Sequence, residues 1–320
     1  MTPTLHSWWV QLKSRLRPIY PRLVLELSFD RWTLLRGEHT PQGPSLRRTR
    51  TVAFDPQAIV VEGAGTCAFD LEALRAALAE LLAGEDELPR RVSLLLPDLT
   101  ARGTLLDFET LPARRHERIE LIRWKLKRTT PFRVEEARIS FQELPSANGH
   151  RRLLAVAAPE ATLAPLEQLV ASFDLEPVLV DLSTPNLWNL VADLAADQDL
   201  LLINRDTGFF TINYFRAGQL SFYRCKASAN ASDQESSEYL LQEIHASQLY
   251  LHERLELPSS KYFLVRDVVG DGLDRALQRR FDATVELVDP RPLIDLAGCA
   301  HLPAAQLQKL LPLMGALKGR

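Results

Sequence analysis

Two short stretches of this sequence carry residue types that could hold a phosphate group and a magnesium ion. Phosphate oxygens need backbone N–H donors at close range, which glycine permits, and magnesium needs carboxylate and water ligands. The first stretch, ELSFDRWT, supplies Glu26, Ser28 and Asp30. The second, NRDTGFFT, supplies Asn204, Asp206 and Thr211. Each stretch lies at the bend of a predicted β-hairpin.

Motifs for other chemistry are missing from the sequence. There is no HExxH, G-x-S-x-G, Walker A or G-x-G-x-x-G pattern. His245 and His252 share a face of one predicted helix without a ligand partner at metal-binding spacing. The three cysteines are far apart and form no C-x-x-C pair, which is typical of a reducing compartment. We therefore predict no catalytic residue and no metal site.

Length, composition and charge fit a folded cytoplasmic protein. The chain has 320 residues, 46% of them hydrophobic and 25% charged, so it can bury one large or two medium cores. A net charge of −3 does not indicate a nucleic-acid-binding protein, and the basic run from Arg123 to Arg133 is interpreted as a solvated helix face because Glu117, Glu120, Glu135 and Glu136 lie on either side of it. No membrane-spanning run or signal peptide is predicted. Residues 5–17, LHSWWVQLKSRLR, are either a disordered leader or an interfacial membrane segment.

The order of predicted elements shows a duplicated plan. Residues 22–36 form a hairpin, Asp70 caps a helix over residues 70–83, and Thr184-Pro185 opens a helix that runs to Ala195. A second hairpin begins at Leu200, and a long helix over residues 238–255 follows the polar stretch 227–237. Each half thus begins with a β-meander and continues into helix and strand.

This plan predicts an α/β fold of the actin, Hsp70 and sugar-kinase type, with two domains. We expect a leader over residues 1–20, a first domain over 21–199 and a second over 200–320. An α+β subdomain is inserted at about residues 97–175, where the pattern is strand, helix, two strands and a helix.

Four stretches resemble the PilM family, the cytoplasmic actin-like proteins of type IV pilus assembly. They are LLLPDLTARGTLLDFETLP, IELIRWKLKRTTPF, GFFTINYFRAGQLSFYR and the tail GALKGR. The second stretch, with its Arg-Trp and Pro-Phe pairs, is the most specific. The resemblance covers about residues 23–320 and extends more distantly to the cytoplasmic part of the type II secretion protein GspL.

The resemblance implies a nucleotide site whose motifs this chain lacks. In the fold, both phosphate loops contain Asp-x-Gly, whereas this chain has Glu26 and Ser28 in the first loop and Asn204 and Asp206 in the second. The glycine-rich adenosine motif is replaced around Arg266 and Asp267. A carboxylate at residue 206 would also repel a triphosphate. We therefore expect no ATP or magnesium and no enzymatic activity; the alternative is an ATPase with an atypical site built on Asp30, Asp206 and Thr211.

The resemblance also implies a partner. Members of the family bind the cytoplasmic N-terminal tail of the membrane protein PilN in a groove between the inserted subdomain and the rest of the first domain. This predicts a scaffold, located in the cytoplasm and peripheral to the inner membrane through its partner; the alternative is a GspL-like component of type II secretion. The sequence gives no oligomeric state. The expected partner-binding residues are Leu105, Leu106, Phe108, Leu111, Ile119, Ile122, Arg123 and Leu126.

Overall fold

The structure is a computed structural model that describes residues 20–63, 65–85, 87–145, 150–195, 198–228, 233–258 and 260–319. The predicted leader therefore lies outside the described residues, except for Tyr20. Residues 20–195 are called the first lobe below, and residues 198–319 the second lobe. Across the described ranges, every helix is either too short or too polar to cross a bilayer.

The first lobe is built on a five-stranded sheet. Its elements in chain order are β1 (Leu23–Leu27), β2 (Arg31–Thr40), β3 (Gly43–Ala53), β4 (Ile59–Gly63), β5 (Thr66–Phe69), α1 (Leu71–Leu82), β6 (Arg91–Leu96), β7 (Arg102–Phe108), α2 (Arg115–Leu126), β8 (Ala137–Leu144), β9 (Arg151–Pro159), α3 (Glu160–Ala171), β10 (Glu176–Leu182) and α4 (Ser183–Val191). The sheet order is β10-β6-β1-β2-β3, in which β1, β2 and β3 are antiparallel and β6 and β10 are parallel to β1. Every residue of β1 is buried, because both faces of the sheet are covered.

The second lobe repeats this topology. Its elements are β11 (Leu200–Asp206), β12 (Phe209–Arg216), β13 (Gln219–Ala227), α5 (Asp233–Leu255), β14 (Tyr262–Asp267), α6 (Leu273–Phe281), β15 (Thr284–Leu287) and α7 (Ala304–Lys318). The sheet order is β13-β12-β11-β14-β15, again with three antiparallel strands followed by two parallel ones. The predicted duplication is confirmed, although the sequences of the halves do not visibly match.

The inserted subdomain has a small sheet and a core of its own. Strands β7, β9 and β8 form three antiparallel strands, and α2 packs on them through Ile122 and Leu126. Helix α3 packs elsewhere: Leu163, Leu166 and Leu169 join the core of the first five-stranded sheet. The subdomain core is thus formed by residues of β7 to β9, whereas the interval predicted from sequence also included α3.

Several local predictions are confirmed and one is wrong. Asp70 caps α1 by accepting hydrogen bonds from the backbone N–H groups of Glu72 and Ala73. Thr184 does not cap α4, because it lies inside the first turn. Its N–H and hydroxyl instead donate to Asp98 Oδ2 at 3.1 and 2.9 Å. Helix α5 begins earlier than predicted, within the polar stretch, and the β4–β5 hairpin was not predicted.

The C-terminal helix α7 connects the two lobes. It packs against α4 and lies in one core with β1 and β2 of the first lobe. Close approach of the two helices depends on Gly315, where an added Cβ would lie 1.8 Å from the backbone oxygen of Asn186. The helix therefore requires a residue without a side chain at this crossing.

Substitution Gly315→Ala tests this packing. Alanine raises helix propensity by about 1 kcal/mol, so the variant would be more stable if the crossing had room. Because the methyl group meets backbone, we expect a loss of about 1–3 kcal/mol in the free energy of unfolding, measured by urea denaturation. Ala305→Ser, at an exposed position of α7, is the control and should change it by less than about 0.5 kcal/mol. An increase for Gly315→Ala would contradict the crossing.

Candidate functional site

The bends of the two hairpins touch each other directly. Residues 28–30 join β1 to β2, and residues 207–208 join β11 to β12. The Thr207 hydroxyl donates to Asp30 Oδ2 at 2.9 Å. The Phe29 ring lies 6.1 Å from the Phe209 ring, and a Cβ at Gly208, whose φ is +81°, would meet Phe29 at 3.0 Å. The first and second lobes are therefore in contact where these bends meet.

A buried carboxylate and two guanidinium groups lie beneath the bends. Arg31 Nη2 donates to both carboxylate oxygens of Asp206 at 2.9 Å, and Arg266 Nη2 donates to Oδ2 at 2.7 Å. Arg266 Nη1 also donates to Asn204 Oδ1 at 2.6 Å, and Arg31 Nη1 to Asp30 Oδ1 at 2.7 Å. Asp206, Arg31 and Arg266 are each at most 2% exposed, so this is a fully desolvated cluster that joins the lobes.

The two arginines keep Asp206 ionised. Burial by itself raises the pKa of a carboxyl group, since it disfavours the charged form. At Asp206 the positive charges of Arg31 and Arg266 outweigh burial and hold the pKa below its ordinary value. In turn Asp206 raises the pKa of Arg31, in spite of the burial of that side chain. The cluster therefore contains two positive charges and one negative charge.

Glu26 lies beside this cluster without a counterion of its own. Its Oε1 accepts a hydrogen bond from the Ser183 hydroxyl at 2.8 Å, and its Oε2 is buried with no hydrogen-bond partner among the described residues. Burial raises the pKa of Glu26 to about 7, and Asp206 adds to the rise, while Arg266 and Arg31 oppose it. Glu26 thus changes protonation near neutral pH.

A second set of hydrogen bonds joins the lobes farther along the interface. Asn204 Nδ2 donates to Thr184 Oγ1 at 2.7 Å, and the hydroxyls of Thr184 and Thr211 are 3.2 Å apart. The Tyr223 hydroxyl donates to Asp98 Oδ1 at 3.0 Å. Burial raises the pKa of Asp98 to about 6, although hydrogen bonds from Thr184 and Tyr223 lower it. The sequence analysis did not identify Asp98 as a site residue. Its position directly after Pro97, at the end of the buried strand β6, was the signal that could have indicated it.

The structure brings together most of the sequence-predicted site residues. Arg266 extends from β14 into the cluster, whereas Asp267 faces a cavity of about 640 Å³. That cavity is bounded by residues 267–275, the end of β15 and the start of α7. Ser28 is buried in the first bend. Within the described ranges, no three His, Cys, Asp or Glu side chains are arranged to hold a metal ion.

The eight predicted partner-binding residues do not form one surface: one lines a groove, one lies on a helix surface and six are packed in a core. Leu105 lines a groove between the lobes. Arg123 lies on the surface of α2, where it pairs with Glu120 at 2.8 Å. The other six pack in the core of the inserted subdomain, namely Leu106, Phe108, Leu111, Ile119, Ile122 and Leu126.

The groove has a volume of about 560 Å³ and lies between β7 and β13. These strands are the outer strands of their sheets. Apolar side chains line much of it, among them Leu105, Phe222, Tyr250 and Leu255. Its basic side chains are Arg102, Arg152, Arg224 and Lys226, and its acidic side chain is Asp107. Arg102 Nε and Thr104 Oγ1 are buried here without a hydrogen-bond partner in the described part of the chain.

Comparison with solved structures shows which fold this chain has, whereas comparison with sequences finds no match. No protein-family model and no curated protein sequence matches the chain. The structure is similar to that of the PilM–PilN type IV pilus biogenesis complex, with a TM-score of 0.76 and 18% identity over 94% of this chain and 97% of that chain. A Bacteroides thetaiotaomicron protein with an actin-like ATPase fold and unknown function matches with a TM-score of 0.56 and 13% identity, over 94% and 97%.

A third similar structure is the cytoplasmic domain of EpsL, an inner membrane component of the Vibrio cholerae type II secretion system. It matches with a TM-score of 0.49 and 13% identity, over 93% of this chain and 95% of that chain. The expected actin-like fold is confirmed, and the resemblance to PilM holds at the level of the fold.

Substitution Asp206→Asn tests the buried cluster. It leaves the buried Arg266 guanidinium without a carboxylate partner and Arg31 with only the partly exposed Asp30, so we expect a loss of about 3–5 kcal/mol in the free energy of unfolding at pH 8. The matched control is Asp107→Asn, which breaks the partly exposed pair with Arg152 and should cost at most about 1 kcal/mol. Equal losses in urea denaturation would show that Asp206 is not held as described.

Substitution Glu26→Gln tests the raised pKa. The folded-state value of about 7 lies above the ordinary 4.5, so the folded protein retains a proton that the unfolded chain releases. Stability should therefore fall as pH rises from about 4.5 to 7, by up to about 3 kcal/mol from this residue. Glu26→Gln should remove that part of the pH dependence in urea denaturation and leave the part due to Asp98, whereas Glu38→Gln should change neither. An unaltered pH profile for Glu26→Gln would contradict the assignment.

Proposed function

We propose that this protein is a non-catalytic scaffold of type IV pilus assembly, or of a related secretion system, with a degenerate nucleotide site. In this role it binds the N-terminal tail of a PilN-like inner-membrane protein and stays in the cytoplasm, peripheral to that membrane through the partner. The observation that carries the proposal is the cluster of Arg31, Asp206 and Arg266 in the place where the fold's ATP-users hold phosphate.

The residues at that place do not fit magnesium and a nucleotide. A magnesium-bound phosphate needs an accessible carboxylate and glycine backbone that it can approach closely. Here both oxygens of Asp206 are engaged by guanidinium groups, and the side chain of Phe29 packs against Gly208. A nucleotide would have to separate the two bends and break the Arg31–Asp206 pair. These costs favour a scaffold over an ATPase.

An atypical ATP-binding protein is the second candidate, and one observation favours it. The cavity beside Asp267 is large enough for a nucleobase and ribose, and it lies next to β14, where the fold's adenosine motif ends. However, its lining contains four carboxylates against two guanidinium groups, an excess of negative charge that would disfavour an anionic ligand; the residues are Asp267, Asp271, Asp274, Asp289, Arg275 and Arg291.

The groove between β7 and β13 suits an extended peptide tail. Outer strands present backbone groups to which an extended chain can bind as an additional strand, while side-chain pockets give specificity. Tyr250 and Leu255 are exposed apolar side chains at 41% and 36% and could bury a partner's apolar residues. Leu105 is the one predicted contact residue in this groove.

Ligand-dependent unfolding tests the proposal. The synthetic N-terminal tail of the PilN-like protein encoded beside this gene should stabilise the chain by about 2.7 kcal/mol at 100 times its dissociation constant. A scrambled tail and MgATP at millimolar concentration should not change the melting temperature. Stabilisation by MgATP, with none by the tail, would instead support the ATP-binding candidate.

Two neighbouring residues of α5 locate the binding surface. Tyr250 lines the groove, whereas Leu249, exposed to 46%, does not. Tyr250→Ala should therefore weaken tail binding at least about tenfold in calorimetry, since buried aromatic anchors dominate peptide interfaces. Leu249→Ala should leave the affinity within about twofold. Equal effects of both substitutions would place the tail elsewhere.

A further inference from the structure

The inserted subdomain exposes a tryptophan that belongs to none of the hydrophobic cores that the described residues form. At 62%, Trp124 has the highest relative exposure among the large apolar side chains of the described residues. It lies in the C-terminal half of α2 and lines neither the groove nor the cavity beside Asp267. Tryptophan combines a large apolar ring with one N–H donor, which suits a surface that is apolar beneath and polar above.

Positive charge is concentrated around Trp124. Residues 102–159 contain twelve Lys and Arg against seven Asp and Glu, a net charge of +5 in a chain whose total is −3. The remaining residues therefore carry −8. Within residues 114–133 there are eight Lys and Arg and only two acidic residues. The subdomain thus has a net positive charge, whereas the rest of the protein has a net negative charge. The subdomain would therefore attract an anionic surface.

The helix fixes these groups in one orientation. Ile122 and Leu126 are fully buried against the subdomain sheet, so the opposite side of α2 is held toward solvent. Lys127, the C-cap of α2, and Arg128, in the turn that follows, are both exposed directly after the last turn of the helix, which contains Trp124. Lys127 pairs with Glu135 at 2.6 Å but stays 67% exposed. Exposed pairs of this kind contribute little in water and leave the cation able to bind elsewhere.

The basic face is continuous with the edge of the groove. Lys125 Nζ donates to the backbone oxygen of Asp107 at 2.6 Å, and Asp107 lines the groove. Just beyond α2, the Phe132 ring packs against Gly65, another groove residue, where an added Cβ would lie 2.5 Å from the ring. Any surface that binds this face would therefore lie beside the groove.

We propose that the face formed by Trp124, Lys127 and Arg128 binds an anionic lipid bilayer directly. Trp124 enters the headgroup region, and the basic side chains neutralise lipid phosphates. A bilayer matches both features of this face, because a tryptophan ring suits the boundary between acyl chains and headgroups and the neighbouring cations match the headgroup phosphates. The interaction does not require the tail-binding groove, but it would hold that groove close to the membrane.

Vesicle binding by the full chain tests the proposal. We expect co-sedimentation with phosphatidylcholine vesicles that contain 30% phosphatidylglycerol, weakening as salt rises from 50 to 300 mM, and little binding to pure phosphatidylcholine. Each Lys or Arg near an anionic surface strengthens binding roughly fivefold. The double charge reversal Lys127→Glu with Arg128→Glu should therefore reduce the affinity at least about twentyfold, and Trp124→Ala several-fold, with melting temperatures unchanged.

The matched control reverses two adjacent arginines at the end of another helix. Arg279→Glu with Arg280→Glu makes the same change in net charge at the end of α6 and should keep most of the vesicle binding. Equal losses in both double variants would show that only net charge matters. Undiminished binding in the Trp124 and Lys127/Arg128 variants would assign the activity to another segment, such as the basic leader. Absence of vesicle binding, with α2-dependent binding of poly-glutamate, would indicate an acidic protein partner. Each of these three results overturns the proposal.

Discussion

The ion pairs of Asp206 with Arg31 and Arg266 are the interaction on which the relation between the lobes depends. An ionised carboxylate without solvent is tolerated only when strong, well-oriented donors surround it, and here two guanidinium groups supply them. Arg31 comes from the first lobe, while Arg266 and Asp206 come from the second. Separation of the lobes would break both hydrogen bonds between Arg31 and Asp206 and leave Asp206 paired with Arg266 alone. The electrostatics of the cluster therefore favour one closed arrangement of the lobes.

A closed arrangement differs from what the fold offers to a nucleotide-binding protein. Such a protein needs a cleft that opens to admit a ligand and closes over it, with binding energy supplied by the ligand. In this chain the closing contacts are made by its own side chains, including Thr207 with Asp30 and Asn204 with Thr184. The scaffold proposal follows because side chains of the protein make the contacts between the lobes that a bound ligand would otherwise make.

Sequence predicted the fold well because the fold is encoded locally. Apolar periodicity gave the helices and strands, and the order of meander, helix and strand in each half gave the actin-like plan. The errors lie where local signals compete with distant ones. Thr184 follows a buried strand and precedes proline, which is typical of a helix cap, yet its hydrogen-bond partner Asp98 is 86 residues away. No local pattern carries that information.

Sequence analysis identified residues that lie at the candidate site, but it did not predict the interactions that they make. Loss of glycine drew attention to Asp206 and Arg266, and the expected consequence was repulsion of phosphate. One actual partner of Asp206 is Arg31, which is 175 residues distant in sequence, so no local pattern links the two residues. Among the partner-binding residues, the apolar stripe of α2 was ambiguous, because periodicity identifies a buried face without saying what buries it. The structure places Ile122 and Leu126 against the subdomain sheet.

The closed lobes and the groove are physically connected. Strand β7 belongs to the first lobe and β13 to the second, so the width of the groove between them is set by the position of one lobe relative to the other. The Tyr223–Asp98 hydrogen bond joins the lobes at the groove itself, and Gly103 packs directly on the Tyr223 ring. A fixed groove removes the cost of ordering the protein on binding, so that only the tail must become ordered. Under the scaffold proposal, the contacts that hold the lobes together would therefore also preorganise the groove proposed for a partner's tail.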